Sequence, residues 1–165
     1  MPADYSFDVV SRVDMAEVDN AVNQTRKEIQ TRFDFQGSAA ALDLDAKAYA
    51  ITLSGEDDQK LRNILEILQQ RLAKRGVSMR ALQVAEPVQA GGSLRRQIIT
   101  LRHGIPADKA KEMQSLLRAS KLKVTAQVQA DQLRVAGGKK DELQVAIGLL
   151  RKADFEIDLQ FVNLR

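Results

Sequence analysis

Seven consecutive residues, Arg32-Phe33-Asp34-Phe35-Gln36-Gly37-Ser38, bring together groups whose chemistry fits a nucleotide. A guanidinium suits a phosphate and an aromatic ring stacks on a base. Amide and hydroxyl groups donate hydrogen bonds, and a glycine opens the backbone to close approach. In this reading Arg32 meets phosphate, Phe35 stacks, and Gln36 and Ser38 donate beside Gly37, with Asp34 as the carboxylate between them. A second reading is structural: Phe33 and Phe35 staple a helix end to the core, and Gly37 supplies the positive φ of the turn. The residue types fit both.

The other groups are sparser. There is no cysteine, and His103 is the only histidine, so nucleophilic catalysis would rest on one imidazole at a strand–helix junction. No enzyme is expected. Asp43, Asp45, Asp57 and Asp58 are the candidates for a carboxylate metal site, but their spacing matches no metal-binding loop; no metal or cofactor is expected. Gly137-Gly138-Lys139-Lys140 precedes a helix as an anion cradle does, without the earlier glycine or the Ser/Thr of a nucleotide-triphosphate loop.

These groups are positioned by a repeating order of elements. Tyr5 to Val13 alternates as a strand, and Asp14 with Glu17 begins a helix whose stripe is Met15, Val18, Val22 and Ile29. Two strands follow, with Leu42 and Leu44 on one and Ile51 and Leu53 on the other. A helix opened by Ser54 and Asp57 carries Leu61, Ile64, Leu65, Leu68 and Leu72, and Val77 to Val84 is a further strand. Glu86 to Ser93, with its proline and paired glycines, is the natural linker. The order then repeats: strand to Arg102, helix from Pro106, strands at 122–129 and 133–135, helix through Leu150, and a strand at Ile157 to Phe161. The fold class is α+β, with two ferredoxin-like, RNP-like β-α-β-β-α-β sandwiches in tandem, residues 1–90 and 91–165. The first strand could also pair with the second unit, in a swapped arrangement.

Such a sandwich covers one sheet face with helices and leaves the other open. The outward cations of the second unit (Arg96, Arg102, Lys123 and Arg134, joined by Lys139 and Lys140) form a candidate basic face for RNA or another phosphate ligand. Charge points the same way. Residues 1–90 hold 11 basic and 14 acidic side chains and residues 91–165 hold 14 and 8, so net charges of −3 and +6 describe an acidic and a basic half. The chain has seven aromatics in all, and the open face offers none for stacking. No apolar run reaches the roughly 18 residues of a membrane span, and the first five residues show no leader. A cytoplasmic monomer is expected.

Phe7-Asp-Val-Val-Ser11, Glu17-Val-Asp-Asn-Ala-Val-Asn-Gln24, the 32–38 stretch and Leu159-Gln-Phe-Val-Asn163 together resemble the bacterial YajQ family along essentially the whole chain. The resemblance implies two RNP-like domains and nucleotide binding, with cyclic di-GMP as a ligand and a signalling role that touches transcription through a protein or DNA partner. GTP or tRNA binding is also implied. Typical members carry lysine or arginine where Gln36 stands, and a neutral amide makes weaker contact with a phosphate than a cation does.

Overall fold

The computed structural model describes residues 4–165; residues 1–3, at the start of the segment read as leaderless, lie outside them. The first strand, β1 (Tyr5–Val10), sends Phe7 and Val9 to one face and Asp8 to the other. Asp14 caps α1 (Met15–Thr31), its carboxylate accepting from the N–H groups of Ala16 (3.1 Å) and Glu17 (3.4 Å). The reciprocal half of a capping box is absent, because Glu17 turns to Arg75 at 3.2 Å. Val18, Ala21, Val22 and Ile29 bury one face of the helix, at the three-to-four-residue spacing its period demands.

A hairpin of β2 (Ala41–Asp45) and β3 (Ala50–Gly55) leads to α2 (Asp58–Lys74). Asp57 rather than Ser54 caps that helix, accepting the Lys60 N–H at 2.8 Å. The chain continues through β4 (Leu82–Val84), β5 (Val88–Gln89), β6 (Arg95–Leu101), α3 (Ala107–Ala119), β7 (Val124–Gln129), β8 (Gln132–Gly137), α4 (Lys140–Lys152) and β9 (Gln160–Val162). The stretch expected as a linker is instead a hairpin. Val88 and Gln89 pair with Arg96 and Arg95, and the Ala90 N–H donates to the Leu94 carbonyl at 2.8 Å around Gly91-Gly92.

Both sheets are antiparallel, one in the order β7-β8-β1-β9 and the other β2-β3-β6-β4, with β5 on the flank of β6. Each has the strand arrangement of a ferredoxin-like sandwich, but the two repeats have exchanged their first strands. β1 lies between β8 and β9 of the later repeat, while β6 lies between β3 and β4 of the earlier one. The compact units are therefore Val13–Arg102 and a second formed by residues up to Arg12 with His103–Arg165, in place of the division expected at residue 90.

The physical reason lies in what alternation specifies. A period of two fixes which face a strand buries, not which strand it pairs with. The charge asymmetry disappears with the old boundary. Val13–Arg102 holds 13 basic and 12 acidic residues, and the other unit 12 and 10.

Each unit encloses its own core. In Val13–Arg102, Val18, Val22, Leu61, Ile64, Leu68 and Leu72 of the helices pack on Ile51, Leu53, Ile99 and Leu101 of the sheet. In the other, Met113, Leu117, Leu143, Ala146 and Leu150 cover Phe7, Val9, Leu133 and Val135. Each large side chain buried in this way contributes roughly 1.5–3 kcal/mol.

Candidate functional site

The 32–38 stretch lies wholly within Val13–Arg102, between the end of α1 and the start of β2. Arg32 leaves the helix with extended backbone, and Phe33–Phe35 form one turn of 3-10 helix. Such a turn advances about 120° per residue, so side chains two apart point in very different directions. Phe35 goes into the core and is 4% exposed, whereas Phe33 stands in solvent at 87%. The expected stacking role of Phe35 is thereby overturned. Its ring packs against the core, and Lys60 Nζ and Arg32 Cζ lie 5.0 and 5.5 Å from its centroid. The ring open to a base is Phe33, which sequence reasoning had placed in the core. No local signal would have found it, since both phenylalanines suit either environment.

The polar groups around the turn bond to one another. Arg32 grips Asp34 with two parallel hydrogen bonds, Nε to Oδ1 at 3.0 Å and Nη2 to Oδ2 at 2.9 Å. That fork holds the Asp34 carboxyl below the usual carboxylate range. The Lys60 ammonium donates to the Asp34 carbonyl. The Ser38 hydroxyl donates to Glu56, with Oε1 at 2.6 Å and Oε2 at 2.9 Å, and the Ala39 N–H reaches the same carboxylate at 2.7 Å. The Ser38 contact, the largest cause, lowers the Glu56 pKa. The Ser38 proton is thus committed within the protein, and Ser38 Oγ also accepts the Ala40 N–H at 3.0 Å. Gly37 takes φ +72° in open space, and Gln36 is exposed beside it. Lys60 and Glu56 were not singled out by sequence. What the turn presents outward is the Phe33 ring, the Gln36 amide and the part-exposed Arg32–Asp34 pair.

The six cations expected on one basic sheet do not share it. Arg96 projects from β6 in the Val13–Arg102 sheet, and Arg102 follows it, its Nη1 donating to the Arg80 carbonyl at 3.3 Å. Lys123, Arg134, Lys139 and Lys140 belong to the other unit. There Arg134 Nε donates to Asp8 Oδ1 at 2.9 Å across the β1–β8 pair, and Asn163 Nδ2 donates to Asp8 Oδ2 at 2.8 Å. Asp8 is 1% exposed, and the Arg134 hydrogen bond lowers its pKa while the Arg134 value rises in turn. This cation is a structural partner as well as a surface charge. Lys139 and Lys140 stand exposed at the start of α4.

The four carboxylates considered for a metal are each engaged separately. Asp43 faces Arg26 (3.5 Å), Asp45 accepts the Ala48 N–H (3.2 Å), Asp57 caps α2 and Asp58 binds Arg95 (2.8 Å). Among the described residues no group of His, Cys, Asp or Glu is arranged to hold a metal ion. His103 is exposed between β6 and α3. No helix among the described residues is long and apolar enough to cross a membrane.

Fold and turn together define an α+β protein of two ferredoxin-like units with a solvent-facing aromatic on an internally braced loop. Residues 5–165 match the family described as nucleotide-binding protein YajQ-like, and the chain belongs to that family. A nucleotide-binding protein of Desulfitobacterium hafniense is 49% identical over 165 residues, the whole of both chains. One from Geobacter sp. strain M21 is 49% identical over 160 residues, covering 97% of this chain and 98% of its own. One from Heliobacterium modesticaldum is 47% identical across all of this chain and 99% of its own.

Proposed function

We propose that the protein is a cytoplasmic nucleotide-binding effector rather than an enzyme. Cyclic di-GMP is its ligand, held at the Arg32–Ser38 turn, and binding changes its contact with a protein or DNA partner that acts in transcription. The observation that carries the reading is the Phe33 ring, 87% exposed on a backbone fixed on both sides by hydrogen bonds. A base stacking there contributes ~1–3 kcal/mol, by analogy with aromatic platforms for single-stranded nucleic acid. Arg32 meets phosphate, and the Gln36 amide reads a base edge with neutral hydrogen bonds. The names of the relatives support a nucleotide; the choice of cyclic di-GMP rests on the family resemblance. A switch of this kind needs a ligand that favours one state over another by differential affinity.

Calorimetric titration of the full chain with cyclic di-GMP, with GTP and a short RNA in parallel, tests the reading. Saturable one-site binding of cyclic di-GMP is expected, weakened about fivefold or more by Phe33→Ala at unchanged melting temperature. Absence of nucleotide binding beside salt-sensitive RNA binding would move the function to the cations of the sheets.

A further inference from the structure

Next to the turn, along the surface shared by α1 and α2, lies an open depression of about 360 Å3 lined by Gln24, Lys27, Glu28, Thr31 and Arg71. Its chemistry is uneven. Its lining holds two cations, Lys27 and Arg71, and one carboxylate, Glu28, which also reaches out of the depression toward the turn. Glu28 Oε1 accepts from Arg71 Nη2 at 2.8 Å, and Oε2 lies 4.0 Å from Arg32 Nη1. One carboxylate therefore bonds one guanidinium and lies near a second, whose fork is taken by Asp34.

Neighbouring arginines are engaged differently. Arg26, on the side of a smaller hollow bounded by Ala40 to Asp43, is spent on the Leu42 carbonyl, Asn23 and Asp43. Arg75 is held by both Glu17 and Gln24. Arg71 gives one of its five N–H donors to Glu28, its one partner among the described residues. It is 30% exposed, partly desolvated yet within reach of a ligand.

We propose that this depression is the phosphate arm of the nucleotide site, specific for a ligand with two phosphates. Arg32 at the turn takes one phosphate. Arg71 with Lys27 takes the other, displacing Glu28, whose hydrogen bond to Arg71 makes it an internal competitor there, while at Arg32 the phosphate competes with the Asp34 fork. The proposal rests on nucleotide binding at the Phe33 turn and adds to it the place where a second phosphate is held and a built-in competitor for it. Charge-assisted hydrogen bonds from a guanidinium are about twice as strong as neutral ones and favour phosphate through the planar fork. Glu28 sets a threshold at Arg71, because a phosphate there must displace its hydrogen bond, and a ligand already anchored at Arg32 by one phosphate presents the second at high effective concentration.

Two variants that break the same ion pair test this on the full chain, with titrations of cyclic di-GMP, GMP and guanosine. Arg71→Gln is expected to weaken cyclic di-GMP about tenfold and leave guanosine unchanged. Glu28→Gln is expected to tighten cyclic di-GMP severalfold by removing the competitor. If the ion pair served only to hold α1 to α2, both variants would shift affinity in the same direction in step with their melting temperatures, and that outcome overturns the proposal. Equal wild-type affinity for GMP and cyclic di-GMP, with both variants neutral and Phe33→Ala still harmful, overturns the phosphate arm and leaves the turn standing. No binding of any guanine compound overturns both.

Discussion

Phe33 and Phe35 share a residue type and divide its uses. Phe35→Ala removes a ring that is 4% exposed from the core and is expected to cost about 3–5 kcal/mol in urea unfolding. Phe33→Ala, at an 87% exposed position, is expected to stay within ~0.5 kcal/mol of the parent. Equal losses would show that the turn is seated differently. The composition of the site was legible in the sequence, but the direction of each side chain was not. Direction follows from the 3-10 turn after Arg32, which the helical period of α1 does not announce. Asp8 stands in the Phe7–Ser11 motif but was given no role, because the pairing that sets it opposite Arg134 is not written in the alternation of either strand. Its carboxyl titrates below its ordinary value of 3.8 in the folded protein, chiefly through the Arg134 hydrogen bond. The unfolded chain thus binds this proton more readily, so the stabilisation is complete above about pH 4 and is lost as pH falls through the depressed folded value. Urea unfolding from pH 7 down to 2.5 checks it. The Asp8→Asn variant should start about 1–3 kcal/mol lower at pH 7 and lose less on acidification; parallel curves would refute the assignment.

Helices and strands came through with their inward faces largely right, because burial is written into spacing: Val18 and Val22, Leu61, Ile64, Leu68 and Leu72, and Leu133 and Val135 are all buried. Their ends were less legible. Asp57 caps α2, where Ser54 and Asp57 together had been read as the capping pair, and the strand expected from Val77 begins at Leu82 after a 3-10 turn over Met79–Ala81. Capping at α1 is tested by Asp14→Ala, which should cost about 1 kcal/mol and loosen the first turn in hydrogen exchange. The junction before α3 is more demanding. Gly104 has φ +91°, its N–H donates to the Ser11 carbonyl at 2.6 Å, and a Cβ there would meet Asp131 Cβ at 2.8 Å. Gly104→Ala therefore combines backbone strain of about 1–3 kcal/mol with a clash, and thermal unfolding should show a loss larger than that of Gly37→Ala, where a Cβ meets nothing within 4 Å.

For the whole molecule the exchange of first strands decides what can exist alone. Val13–Arg102 is one continuous segment with a complete core, so it is expected to fold as a fragment with cooperative urea unfolding. Residues 1–90 lack β6, the central partner of β3, and residues 91–165 lack β1, so neither should give a cooperative transition; folding of both would contradict the pairing. No local pattern specified this, because β1 and β6 each alternate and each precede a helix. The arrangement also sets a schedule on the ribosome. β1 is made before its partners, and Asp8 pairs with Arg134 and Val162, 126 and 154 residues downstream. At about 5–20 residues per second it waits on the order of ten seconds or more, with Phe7, Val9 and Val10 unpaired. Val13–Arg102 can close meanwhile. The nascent chain thus carries a finished sandwich behind an orphan apolar strand, a segment that chaperones would be expected to hold until β8 and β9 emerge.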